Sequence, residues 1–205
     1  MGPQGFGMIR RSLAALVLAV AGVLAAPAHA TDPVMEPQAF GKADAPVTII
    51  EYASMTCPHC AHFHTETFGQ LKEKYIDKGL VRFEFREFPL DRLAFHAAVL
   101  ARCAGTERFW GFVDMLFRQQ RVWTRAADPI AALGRLARLG GMSQAQFESC
   151  IINEKIGDAV LATRLEGEQK HRVDGTPSFV INGKTVSAMS IEDFDALIKP
   201  LLPKS

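Results

Sequence analysis

Apolar and polar positions along this chain follow two periods, one suited to strands and one to helices. Val47-Thr48-Ile49-Ile50-Glu51-Tyr52 is a β-branched, nearly continuous apolar run of strand length, with Pro46 before it and small residues after. That pattern predicts a buried strand. Beyond Ser54-Met55-Thr56 and Cys57-Pro58-His59-Cys60, the residues Phe63, Phe68, Leu71 and Tyr75 mark one face of a helix. Cys57 therefore falls at the turn from strand into helix. Gly79 closes that helix, and from Leu80 to Phe88 the apolar Val81, Phe83 and Phe85 alternate with Arg82, Glu84 and Arg86, as strand residues do. Strand, helix and strand make a βαβ unit.

From Asp91 to about Lys170 the pattern is helical and predicts no strand. Leu93, Ala97, Leu100 and Ala101 give one helix, and Phe109, Phe112, Val113, Leu116 and Phe117 a second. Asp128-Pro129 followed by Ile130, Leu133, Leu136 and Ala137 gives a third, stopped by Gly140-Gly141. Ser143 with Gln146 predicts a capping box opening a short helix that holds Phe147 and Cys150. Ile152, Ile156, Ala159, Val160 and Thr163 mark a long helix. After the turn-rich Val173-Asp174-Gly175-Thr176-Pro177, Ser178 to Asn182 and Thr185 to Ala188 pair as a hairpin across Asn182-Gly183. Ser190 caps a last helix through Leu202. The expected fold is α/β, with a core over residues ~40–90 and ~171–205 interrupted by an all-helical insertion at ~91–170.

The first thirty residues stand apart. Arg10 and Arg11 precede an apolar run from Ser12 to Pro27, and the small-x-small triplet Ala28-His29-Ala30 gives way to Thr31-Asp32-Pro33. This is the pattern of a cleavable secretory signal peptide, and the run is short for a bilayer span. The expected mature chain is 31–205, exported from the cytosol. The leader takes two of the 23 basic residues and none of the 22 acidic ones, leaving a near-neutral chain that favours neither a nucleic-acid nor an anionic-membrane partner. With 48% hydrophobic and 22% charged residues, the composition is that of an ordinary globular domain.

Export changes what the cysteines mean, because disulfides persist outside the cytosol. Cys57 and Cys60 form a C-x-x-C whose tight loop joins its own thiols most readily, which pairs Cys103 with Cys150. A loop of that length is worth about 4 kcal/mol in the chain-entropy account, whereas a four-residue loop constrains little. The value of the C-x-x-C is chemical rather than structural. A cysteine at a helix N-terminus is held as thiolate by the dipole and the free amides. Cys57 has that position, Cys60 is the resolving thiol one turn deeper, Pro58 stiffens the turn, and a cationic His59 would add to the stabilisation. A different chemistry uses Cys57, His59, Cys60, His62 and His64 as ligands of zinc or copper, in a metal-carrying protein. Against it, no second, separated ligand pair accompanies the cluster, and His62 and His64 on their own read as polar residues of a helix surface.

Glu51-Tyr52-Ala53-Ser54-Met55-Thr56-Cys57-Pro58-His59-Cys60 and Gly175-Thr176-Pro177-Ser178-Phe179-Val180-Ile181-Asn182-Gly183-Lys184 resemble the thioredoxin fold, and with the helical insertion and export signal they resemble the DsbA family of periplasmic thiol:disulfide oxidoreductases. Arg102-Cys103-Ala104 through Phe109-Trp110 to Asp114-Met115-Leu116-Phe117 is similar to a branch with a second cysteine pair in the insertion. The resemblance spans nearly all of the mature chain. It implies an oxidised resting enzyme that donates its disulfide to reduced exported proteins, works as a monomer without a dissociable cofactor, and is reoxidised by a membrane quinone-linked partner of the DsbB type. It implies a cis Thr176-Pro177 bond against the redox pair, with the backbone of Thr176 pairing with bound peptide. It also implies that Glu51 is a buried acid beneath the pair that moves a proton to or from Cys60; a carboxyl kept from water is suited to such transfer. Thr176 departs from the Val of the best-studied oxidases and matches many isomerases, which keeps open an isomerase or reductase maintained by a membrane donor.

Overall fold

The computed structural model describes residues 1–2 and 36–203. The predicted leader and its cleavage site lie outside these residues, apart from Met1 and Gly2.

Strand β1 (Gln38–Phe40) is too short to leave a pattern in the sequence, and it was not anticipated there. Strands β2 (Val47–Ala53) and β3 (Val81–Glu87) are the parallel pair that a βαβ unit requires. Their alternation is visible as burial: Val81, Phe83 and Phe85 point into the core, while Arg82, Glu84 and Arg86 are half-buried on the other face. With β4 (Ser178–Ile181) and β5 (Lys184–Val186) they form a five-stranded sheet in the order β1-β3-β2-β4-β5. Every pairing other than β2 with β3 is antiparallel. Asn182 (φ 44°) and Gly183 (φ 84°) take the left-handed conformations that the β4–β5 hairpin needs.

Between β2 and β3 the chain forms α1 (Pro58–His62), a π-helical turn (Phe63–Thr67), α2 (Phe68–Leu71) and a second π-helical turn (Lys72–Ile76). The residues at their junctions remain in the right-handed helical region, so this is one helix with two widened turns. The step from Phe63 to Phe68 is five residues, one too many for an α-helical face. The Phe68 N–H donates to the Phe63 carbonyl instead, the i→i+5 bond of a π-bulge.

All of the residues between β3 and β4 that form regular structure are helical: α3 (Arg92–Cys103), α4 (Thr106–Arg118), α5 (Gln120–Thr124), α6 (Pro129–Leu139), α7 (Gln144–Ile151) and α8 (Glu154–His171). Asp91, Asp128, Ser143 and Asn153 each accept a first-turn amide and set where α3, α6, α7 and α8 begin. The Ser143–Gln146 capping box forms on both sides. The chain ends in α9 (Ile191–Ile198) and a short 3-10 turn (Lys199–Leu201), opened by Ser190. This is a thioredoxin fold with an inserted all-helical segment.

Three features tie the helices to the sheet and to one another. Gly167 lets α8 lie close to β2, since a Cβ there would sit 2.8 Å from the Tyr52 ring. The Cys103–Cys150 disulfide joins the end of α3 to α7 across 47 residues. Arg102 grips both carboxylate oxygens of Glu87 at the end of β3 and lies 5.1 Å over the Phe109 ring, with both members of the ion pair buried. Removing one member strands the other charge. Arg102→Met is therefore expected to lower stability by about 3–5 kcal/mol, read as the shift of the urea unfolding midpoint at unchanged slope.

Candidate active site

β2 ends at Ala53, and the chain must turn before a helix can start at Pro58. Ser54 and Thr56 hold that turn. The Cys57 N–H donates to the Ser54 carbonyl at 3.1 Å, and the Leu90 N–H donates to Ser54 Oγ. The Thr56 hydroxyl donates to Asp91 Oδ2 at 2.6 Å, while Asp91 Oδ1 caps α3. Cys57 is left as the N-cap of α1, extended (φ −74°, ψ 119°), with Pro58 in the first turn, where a missing N–H costs nothing. Both Cys57 and Cys60 are free thiols, 6% and 0% exposed.

The two sulfurs have opposite acidities. Cys57 is drawn down to about 5, chiefly because the Cys60 thiol donates to its thiolate. Burial works against this, and the Thr176 side chain and the amides of Cys60 and His59 work with it. Burial pushes the Cys60 thiol far up, aided by its bond to Cys57 and by the Glu51 charge. His59 acts on Cys57 through its backbone amide. Its imidazole is exposed, and the stabilisation expected from a cationic ring is not among the causes that the geometry supplies.

Thr176-Pro177 is a cis peptide that sits against Cys57. As a thiol, Cys57 donates to the Thr176 carbonyl at 3.1 Å. The Thr176 hydroxyl is buried without a hydrogen-bond partner, and the Thr176 side chain lowers the Cys57 pKa.

Gln120, at the start of α5, was not singled out by the sequence. It is 5% exposed, and its Nε2 donates to the carbonyls of Met55 and Cys57, each at 2.9 Å. No local pattern in the sequence marks it, because its partners are 63 and 65 residues away.

Glu51 is fully buried in β2 and acts on Cys60 from beneath. Its Oε2 lies 2.8 Å from His64 Nε2, and its Oε1 has no partner. The reading of His64 as a surface residue is corrected here. The π-helical turn carries it inward to 8% exposure, where it stacks on Phe117 of α4 with centroids 4.5 Å apart. His62 remains exposed. Of the five metal donors considered from the sequence, Cys57 and Cys60 face one another and His64 faces Glu51, and no group of three or more His, Cys, Asp or Glu among the described residues is placed to hold a metal ion.

Comparison with known proteins fits this geometry. A family model described as Thioredoxin matches residues 34–200. The crystal structure of Wolbachia pipientis alpha-DsbA1 is 31% identical, with a TM-score of 0.74 over 81% of this chain and 90% of that one. The chain belongs to the DsbA family of thioredoxin-fold proteins. Another DsbA-family relative, disulfide bond formation protein D of Bacillus subtilis, is 28% identical over 77% of this chain and 72% of its own. A provisionally named protein-disulfide oxidoreductase of Rickettsia bellii is 32% identical over 81% of this chain. The chain spans 64% of that Rickettsia bellii protein and 59% of its Rickettsia typhi counterpart.

Three outcomes are expected of this DsbA-family site. The Cys57 thiolate, followed by its absorbance near 240 nm, should titrate with a midpoint of about 5 instead of the usual 9.0. A group whose pKa is lowered on folding contributes stability that is fully present above its unfolded pKa and is lost as pH falls through its folded one. The reduced protein should therefore gain in Tm over the oxidised protein as pH rises from about 5 to 9. Gln120→Ala leaves the Met55 carbonyl without its side-chain donor, and should cost about 1–3 kcal/mol in urea unfolding while moving the Cys57 midpoint.

Proposed function

We propose that this chain is an exported thiol:disulfide oxidoreductase that donates the Cys57–Cys60 disulfide to reduced proteins in the periplasm. The observation that carries this reading is the split acidity of the pair, with Cys57 a thiolate at neutral pH and Cys60 held as a thiol. A substrate thiolate attacks Cys57 Sγ in the oxidised pair, forming a mixed disulfide and expelling Cys60, which takes up a proton. A second substrate thiolate then attacks the substrate sulfur, and Cys57 leaves as a stabilised thiolate. The substrate gains one disulfide, and the pair emerges with the two electrons. Because the reduced form is the stabilised one, its disulfide is a strong oxidant.

Each site residue has a part. Cys57 is the attacked and leaving sulfur, and Cys60 resolves. His59 supplies an amide to the thiolate. Thr176 and cis Pro177 form the edge against which a peptide lies: once Cys57 is in a disulfide its thiol no longer occupies the Thr176 carbonyl, which is then open to a backbone N–H. Glu51 exchanges the Cys60 proton. Cys103–Cys150 is a structural staple. This chemistry calls for no dissociable cofactor. Reoxidation falls to a membrane quinone-linked partner of the DsbB type, with the protein a monomer cut free by removal of residues 1–30. Among the described residues no helix is long and apolar enough to cross a membrane.

A second reading, a reductase or isomerase kept reduced by a membrane donor, is favoured by Thr176 alone. The equilibrium reduction potential of Cys57–Cys60 in glutathione buffers separates the two. A value well above that of the glutathione pool supports the oxidase; a value near cytosolic thioredoxin (about −270 mV) replaces it with the reductase. In Cys60→Ser the Cys57 thiolate should attack a disulfide-bonded substrate, release one substrate thiolate and stay joined to the other sulfur as a mixed disulfide that reductant releases, and recovery of no such adduct would sink both.

A further inference from the structure

A thiol with no exposure cannot give its proton directly to water. Cys60 and Glu51 are both 0% exposed, so passing the proton from one to the other only relocates it. Each catalytic cycle moves one proton onto Cys60 and one off it, and Glu51 must be reset each time. Some group has to connect the carboxylate to solvent.

The geometry points to His64 as the proton port of Glu51: a positioning residue that holds one carboxylate oxygen and passes protons between that oxygen and water, so that Cys60 can gain and lose its own. This rests on the oxidoreductase reading above and adds a residue to it. Three observations carry it. His64 Nε2 lies 2.8 Å from Glu51 Oε2, a distance at which either N–H···O or O–H···N is formed and the proton can change sides. The second oxygen, Oε1, is buried without a partner, so Glu51 has one oxygen committed to His64 and one left for exchange with Cys60. Finally, the His64 side chain keeps 5% exposure while the Glu51 side chain has none, which makes the imidazole the wet end of the pair.

The surroundings leave the imidazole a narrow task. Phe63, Phe68, Phe85 and Phe117 wall it in, with ring centroids at 5.3, 5.2, 5.9 and 4.5 Å. None of these can carry a proton. Across the sheet the neighbour of Glu51 on β4 is Phe179, also apolar. The ionisable side chain that Glu51 acts on is Cys60, coupled in turn to Cys57. An imidazole accepts on one nitrogen while it donates from the other, so a proton can enter from water as one leaves to Glu51.

Charge and atoms balance in both directions. With the Cys57–Cys60 disulfide intact, His64 passes a proton from water to Glu51; when a substrate thiolate breaks the bond, Cys60 leaves as thiolate and takes that proton, which leaves Glu51 charged. When Cys60 closes a mixed disulfide on Cys57, its proton goes to Glu51 and out through His64, and the thiolate released from Cys57 carries the displaced electron pair.

The test follows closure of the glutathione mixed disulfide on Cys57 by stopped flow, in the full mature chain with Cys103–Cys150 intact. His64→Gln keeps a side-chain N–H for Glu51 but cannot relay a proton. It should slow closure by at least about tenfold near neutral pH, less than the roughly hundredfold or more of a general acid–base group that meets the reacting atom itself, because His64 acts through Glu51, and should change the pH profile to a steady rise with hydroxide. The absorbance midpoint of Cys57 and the rate at which Cys57 attacks oxidised glutathione should stay as in the wild type. Closure at the wild-type rate and pH profile would overturn the port. Glu51→Gln supplies the second measurement: if the two residues form one path, the double variant should close no more slowly than Glu51→Gln alone, and additive slowing would overturn it. Should His64→Gln fail to fold, His64→Phe, which completes the aromatic wall, carries the same expectation. A wild-type protein that forms no mixed disulfide at Cys57 would overturn the oxidoreductase reading and the port together, whereas normal wild-type closure with an unaffected variant overturns the port alone.

Discussion

A carboxyl group stands in the middle of the sheet with no contact with solvent, and burying such a group costs several kcal/mol unless a partner meets it. Much of the site follows from how that cost is offset. The partner is His64, which lies in the π-helical turn after α1 and reaches Glu51 from there. The ring needs apolar walls, which come from β3 and from Phe117 of α4 as well as from its own helix. The sheet and the insertion are therefore held to one another by the demands of a group that serves the thiols. Cys60 is part of the same arrangement, since the Glu51 charge helps keep it a thiol while Cys57 is a thiolate.

The parts of this molecule that were legible in the sequence are those set by local period and local chemistry. The alternation at Val81–Glu87, the caps at Asp128, Ser143 and Ser190, and the Asn182-Gly183 hairpin all encode themselves within a few residues, and each forms. The C-x-x-C at a helix start was legible for the same reason. What was not legible depends on the third dimension. His64 reads as a surface residue from its polarity alone, although it stands four residues before Phe68 and seven before Leu71 on the same helix face; what spacing does not show is that its partner is Glu51 of β2. Gln120 gave no clue, since a glutamine that bonds carbonyls more than sixty residues away has no sequence pattern of its own. β1 is three residues that become a strand only because the edge of β3 is there to receive them.

The helical insertion is more than a cover placed over the thioredoxin core. Arg102 of α3 closes the end of β3, Phe117 of α4 walls the buried imidazole, and Gln120 of α5 holds the two carbonyls on which the redox turn rests. Cys103–Cys150 then limits how far α3 and α7 can separate.

The bond from Gln120 to Met55 and Cys57 has a consequence for protein engineering. A minimal protein made by splicing β3 directly to β4 would keep every residue of the C-x-x-C and the cis proline, and would still lose the hand that holds the nucleophile's own backbone. Nor could another family member's insertion be transplanted as an interchangeable cassette, unless it brought a side-chain amide to the same two carbonyls. Catalytic unit and inserted helices have to be redesigned, and have to drift over evolutionary time, as a single piece.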